Sequence, residues 1–98
     1  MKRIYISGPI TNDPDYMTKF EAAENELREM GYTSIVNPAK VNANLPSDFD
    51  HRSYMECSLA QLRCCEAVLM LKGWAQSKGA AVEKAIAETR RMEILYQK

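Results

Sequence analysis

Five consecutive apolar residues, Ala67-Val68-Leu69-Met70-Leu71, lie between two stretches of helical periodicity. A run this short and this uniformly apolar suits a strand covered on both faces, as parallel sheets require. The rest of the chain repeats the theme. Arg3 to Ser7 is rich in β-branched and aromatic residues and stops at Gly8-Pro9, which predicts a buried strand feeding a tight turn. Phe20, Ala23, Leu27 and Met30 recur at spacings of three and four, the stripe of an amphipathic helix, with Pro14 suited to its first turn and Gly31 to its C-cap. Tyr32 to Val36 reads as a second strand closed by Asn37-Pro38.

Between residues 39 and 50 no period is visible, and a long loop with one short helical turn is expected. Ser53 is placed to cap a helix running to about Cys64, with Met55, Leu59 and Leu62 turned inward. The last helix is expected to start near Gly79 and to bury Val82, Ala85, Ile86 and Thr89; Ile94-Leu95-Tyr96 suits a final strand. The order β-α-β-α-β-α-β predicts a three-layer α/β/α domain with a parallel sheet of four to five strands covered on both faces. Ninety-eight residues accommodate one such domain, spanning residues 1–98.

Composition narrows the function. Thirteen basic and thirteen acidic side chains cancel, so no global field draws in nucleic acid or an anionic membrane. The opening apolar run, Ile4-Tyr5-Ile6, is far shorter than the roughly 7–15 residues of a signal-peptide core or the ~20 of a membrane span, so a cytoplasmic location is expected. Cys57, Cys64 and Cys65 form no C-x-x-C pair and read as reduced thiols packed as small hydrophobes, not as a metal site.

Ligands of such sheets sit beyond the carboxyl ends of the strands, which directs attention to two loops. Ser7-Gly8-Pro9 follows the first strand, and Lys72 to Gly79 follows the third. Gly79 permits close backbone approach, and the free N–H groups of a starting helix favour an anion. Glu83 lies about one turn further on, where its carboxylate reaches back toward the loop as a nucleophile or as a stabiliser of a cationic sugar. First-turn acids are also common for the helix dipole alone. Tyr5, near the end of the first strand, either points into the ligand edge or is an ordinary sheet residue. Trp74, alone in its loop, suits a ligand ring, a subunit contact or local packing. His51 at a loop–helix junction has no partner motif and reads as structural or exposed.

These pieces resemble a known group. Ile4-Tyr5-Ile6-Ser7-Gly8-Pro9-Ile10-Thr11, Asn37-Pro38-Ala39, Tyr54-Met55, Glu66-Ala67-Val68 and Gly73-Trp74-x-x-Ser77-x-Gly79-x-x-x-Glu83 occur in the order and spacing of DUF4406 proteins, within the nucleoside 2-deoxyribosyltransferase-like superfamily. The resemblance covers nearly the whole chain. It implies a flavodoxin-like Rossmannoid sheet and chemistry at the N-glycosidic bond of a 2′-deoxynucleoside or its 5′-monophosphate, without metal or organic cofactor. Glu83 takes the nucleophile's place and Tyr5 that of the tyrosine beside it. Ser7, Gly8, Pro9, Asn37, Trp74, Ser77 and Gly79 take the substrate-binding places, with Ser77 and Gly79 where relatives hold a 5′-phosphate. A homodimer or higher homo-oligomer is implied as well.

One position departs from the pattern. Ser58 stands where relatives carry an aspartate that handles the leaving base or the sugar hydroxyl. Glu56 is two residues away and, at about 100° per residue, faces elsewhere. Glu66, Asp50, a neighbouring subunit or a ligand group then has to supply the proton. The alternative is a nucleotide-binding or sensing module without turnover.

Overall fold

The computed structural model describes residues 2–98. Four strands, Ile4–Ser7 (β1), Ile35–Val36 (β2), Ala67–Met70 (β3) and Glu93–Tyr96 (β4), form one parallel sheet in the order β2-β1-β3-β4. The helices are Tyr16–Glu29 (α1), the short Pro38–Val41 (α2), His51–Arg63 (α3) and Lys78–Thr89 (α4). The expected three-layer α/β/α architecture is present, with four strands.

Side-chain alternation divides the core into two halves. Ile4 and Ile6 of β1 join Ala67, Leu69 and Leu71 beneath Phe20, Ala23 and Leu27 of α1. Tyr5, Val68 and Met70 point to the opposite face, where they meet Leu62, Cys65, Ala80 and Ala87 of the α3–α4 side. The chain steps from β1 outward to β2, then crosses back past β1 to β3 and on to β4. Right-handed crossovers place α1 on one face and α3 and α4 on the other. The order therefore reverses between β1 and β3, and a crevice opens at that edge.

Helix ends explain where expectation and structure part. α1 closes in a Schellman motif: Gly31 N–H donates to Arg28 O at 3.0 Å and Tyr32 N–H to Leu27 O at 3.0 Å, with Gly31 at φ 101°. Tyr32 is thereby consumed by the cap, so β2 holds two residues where five were expected. Met30 lies past the buried stripe and is 61% exposed. α4 ends the same way through Arg91 and Met92, with Arg91 at φ 57° in the position Gly31 fills in α1. α1 begins at Tyr16, leaving Pro14 in the turn before it, and α3 is capped by Asp50, whose carboxylate accepts from Ser53 N–H at 2.8 Å.

The inward face of α4 also differs from expectation. Val82 is 45% exposed and Ala85 and Thr89 face solvent, while Ala80, Glu83 and Ala87 are buried. Small residues let α4 lie close to its neighbours: a Cβ on Gly79 would stand 3.2 Å from Met55 Sδ of α3. Among the described residues no helix is long and apolar enough to cross a membrane.

Candidate active site

A cleft of about 1010 Å³ occupies the crevice at the strand-order reversal. Its walls come from the loop after β1 (Gly8 to Asp13), the start of α1 (Tyr16, Phe20), the segment after β2 (Pro38, Asn42), the N-terminal half of α3 (His51 to Ser58) and the start of α4 (Ser77 to Ala80). Tyr5 and Glu83 form part of the lining.

The chemistry concentrates at Glu83, whose side chain is 6% exposed. Residues two apart on a strand share a face, so Tyr5 and Ser7 both point at α4. Tyr5 Oη donates to Glu83 Oε2 at 2.5 Å and Ser7 Oγ donates to Oε1 at 2.7 Å. Burial pushes the Glu83 carboxyl above its ordinary range, and the two hydroxyl donors act against that rise without a cation among them. Tyr5 is held well above its ordinary value, first by burial and then by the Glu83 charge, so it stays a donor throughout the physiological range. Each carboxylate oxygen retains lone-pair capacity beyond its one hydroxyl partner. The arrangement is a partly desolvated carboxylate, oriented by two donors, at the wall of a large cleft.

Ser7 bonds this carboxylate, and Gly8, Pro9, Ser77 and Gly79 line the same cleft, though several have structural work as well. Gly8 lets β1 leave the sheet beside Leu71, because a Cβ there would sit 2.8 Å from Leu71 Cβ. Ser77 is the N-cap of α4, its Oγ accepting from Ala80 N–H at 3.2 Å.

Three predicted binding residues, Ser7, Asn37 and Trp74, do not line the cleft, and Ser7 meets it only through its bond to Glu83. Asn37 caps α2, accepting from Ala39 N–H at 3.1 Å, and its Nδ2 donates to Glu24 Oε1 at 3.2 Å. Its polar atoms are therefore committed within the fold. Trp74 packs between Lys84, with Nζ 5.2 Å above its ring, and Tyr96, 6.1 Å away. These contacts are local packing within the chain.

The alternative acids are likewise engaged elsewhere. Asp50 caps α3, and Glu66 accepts from Arg3 N–H at 2.9 Å, at the opposite end of the sheet from the cleft. Ser58 lies on the cleft wall, 7% exposed, accepting from Asn42 Nδ2 at 3.2 Å. Burial pushes the Cys65 thiol up to about 11, which makes it a packing residue and not a nucleophile. No metal-binding cluster occurs among the described residues.

Sequence reasoning missed the aromatic wall. Phe49 and Tyr54 meet edge to face with ring centroids 5.8 Å apart, and both line the cleft with the exposed His51 between them in sequence. Phe49, an aromatic inside an otherwise polar, aperiodic stretch, was the available signal, while Tyr54 stood in the motif Tyr54-Met55 with no role assigned to it. Asn42 was missed too, since only the fold brings it against α3.

No curated protein shows significant sequence similarity to the chain. A family model described as a domain of unknown function (DUF4406) matches residues 2–96, and the chain belongs to that family.

Proposed function

We propose that this protein cleaves or transfers the N-glycosidic bond of a 2′-deoxynucleoside or its 5′-monophosphate, with Glu83 as nucleophile. One observation carries the reading: a buried carboxylate, held by Tyr5 and Ser7 at 2.5 and 2.7 Å, faces a cleft at the sheet's topological switch point. The superfamily resemblance supplies the substrate class.

In this mechanism a Glu83 oxygen forms a bond to C1′ as the C1′–N bond breaks. The electron pair leaves with the base nitrogen, which takes up a proton. The glycosyl ester on Glu83 is then opened at C1′ by water, whose proton is lost, or by a nitrogen of a second base; either route retains the anomeric configuration. Tyr5 and Ser7 hold the carboxylate in line, and withdraw less of its charge than a cation would. Ser77 and the first N–H groups of α4 favour an anionic substituent on the sugar.

Chromatographic measurement of free base from a panel of 2′-deoxynucleosides and their 5′-monophosphates tests the proposal. Base is released by the wild-type protein and not by Glu83→Gln. Equal release by both proteins removes Glu83 as nucleophile. A second reading, nucleotide binding without turnover, is favoured by Ser58: a hydroxyl, not an acid, stands on the cleft wall that Tyr5 and Glu83 also line. Saturable nucleotide binding by calorimetry with no base released over days is the outcome that selects it.

A further inference from the structure

We propose that Glu83 attacks with Oε2, the oxygen held by Tyr5, and that Ser7, by holding Oε1, is a positioning residue for the step that opens the glycosyl ester. The division rests on where the two donors stand. Tyr5 Oη donates to Oε2 at 2.5 Å, and Tyr5 is part of the cleft lining. Ser7 Oγ donates to Oε1 at 2.7 Å, but Ser7 is 1% exposed and does not line the cleft. Oε2 is thus the oxygen on the cleft side, and Oε1 is turned toward β1.

The anchor on Oε1 is a firm one. β1 is an inner strand of the sheet, and Ser7 lies in register with Met70 of β3. The Ser7 carbonyl accepts from Leu71 N–H at 2.8 Å, so its backbone is fixed from the β3 side. A serine on a fixed backbone places its oxygen through a single staggered torsion. Burial raises the Glu83 carboxyl and the two hydroxyls alone oppose it, so the loss of either removes much of what steadies the charge.

The two oxygens have different fates in the glycosidic reaction, on which this role for Ser7 rests. As Oε2 bonds to C1′, the electron pair of the C1′–N bond leaves with the base. Oε2 becomes the ester oxygen and Oε1 the ester carbonyl. The carboxylate charge is gone, and the Ser7 bond weakens from a charge-assisted one to a neutral one, roughly half as strong. In the second step the oxygen of water bonds to C1′ and the C1′–Oε2 bond breaks. Its electron pair returns to the carboxylate, and a proton of the water is lost to solvent. Charge reappears on both carboxylate oxygens, and the Ser7 bond regains its strength as the transition state is approached. Only a contact that strengthens on the way to a transition state accelerates that step. Ser7 makes Glu83 a better leaving group and a weaker nucleophile, so it favours opening of the ester over its formation.

Acid-quenched reactions test this, read by intact-protein mass spectrometry and by chromatography of free base. Wild type, Ser7→Ala and Ser7→Cys are each incubated with the common 2′-deoxynucleosides and their 5′-monophosphates, one at a time. Ser7→Ala is expected to release base in a burst and then to continue about tenfold more slowly, the effect of one charge-assisted hydrogen bond. The quenched variant is heavier by one deoxyribosyl or phosphodeoxyribosyl group, an adduct that a merely structural serine would not cause to accumulate. Ser7→Cys, a near-isosteric but weaker donor, falls between the two proteins. Base release by the wild type with no adduct on either variant overturns the role of Ser7 and leaves the glycosidic reading standing. So does a slower burst without adduct, which would put Ser7 in the attack and not in the opening. No base and no adduct from any of the three proteins removes the glycosidic reading, and the role of Ser7 with it.

Discussion

Two glutamates of this small domain are nearly closed to solvent, Glu24 at 9% and Glu83 at 6%, yet their neighbours are of opposite kinds. Glu24 on α1 accepts from Arg28 Nη2 at 2.7 Å and Asn37 Nδ2 at 3.2 Å, with Lys40 Nζ 3.4 Å away. The Arg28 guanidinium, helped by Asn37 and Lys40, holds its carboxyl below the ordinary range against the effect of burial. Glu83 on α4 has two neutral hydroxyls, and burial raises it. Cations near α4 are turned away: Lys84 lies over Trp74 and pairs with Glu88 at 3.1 Å. A carboxylate that ties α1 to α2 is given compensating charge. The carboxylate at the cleft is left short of it, and this contrast separates the two acids more sharply than burial does.

Turnover gives the widest separation between the two. Removing a nucleophile's charge costs on the order of 10³-fold or more in rate. Glu83→Gln is therefore expected to abolish base release while nucleotide binding by calorimetry persists, and Glu24→Gln to release base within about threefold of wild type, since it touches no reacting atom. Stability separates them next, and in opposite directions. Glu24→Gln weakens charge-assisted bonds to Arg28 and Lys40, for an expected loss of about 1–3 kcal/mol in urea unfolding. Glu83→Gln relieves a buried, uncompensated charge and is expected to gain about 0.5–2 kcal/mol at neutral pH. A destabilised Glu83→Gln would show that Tyr5 and Ser7 already compensate the charge in full, erasing the distinction.

The same contrast explains what could be read from the sequence. The strands were legible because β1 and β3 are continuous apolar runs, and α1 because Phe20, Ala23 and Leu27 keep helical spacing. α4 was misread because hydrophobicity placed Val82 and Ala85 inside, whereas its buried stripe is Ala80-Glu83-Ala87. A charge on the inner face defeats any reading by polarity, and that charge lines the cleft. Glu83 itself emerged from its spacing to Gly79 and from the family resemblance. Asn37 could not be resolved from sequence, since its partner Glu24 is thirteen residues away on another helix. Asn42 and Ser58, sixteen residues apart, meet only after the segment beyond β2 folds onto α3.

Acidity offers a narrower test, because the two groups contribute with opposite sign. The lowered pKa of Glu24 means that its stabilisation is present above the ordinary carboxyl value of 4.5 and is lost as pH falls through its folded value. The raised pKa of Glu83 means that its contribution is present below 4.5 and is lost as pH rises through its folded value. Unfolding free energies measured across pH 3–8, about the range where carboxyls titrate, should show the Glu24→Gln deficit shrinking toward the acid end. The Glu83→Gln advantage should grow over the same range to a plateau at neutral pH, with the opposite sign. Differences from wild type of the same sign in both variants at neutral pH would mean that both carboxyls sit in equivalent environments.

The smallest expected effect concerns which cation matters to Glu24. Lys40 is about half exposed and stands 3.4 Å from Glu24 and 3.6 Å from Glu21, whereas Arg28 approaches Glu24 to 2.7 Å from one helical turn away. An exposed ammonium shared between two carboxylates is screened and mobile, and such pairs contribute at most about 0.5 kcal/mol. Lys40→Met keeps the apolar stem along α2 and removes only the charge, so its midpoint in urea should fall by that small amount, and less still in 0.5 M salt at roughly a 4 Å screening length. A loss equal to that of Glu24→Gln would transfer the compensating role from Arg28 to Lys40. The holding of α2, and with it the wall segment that carries Asn42 to the cleft, would then depend on a surface charge exposed to salt.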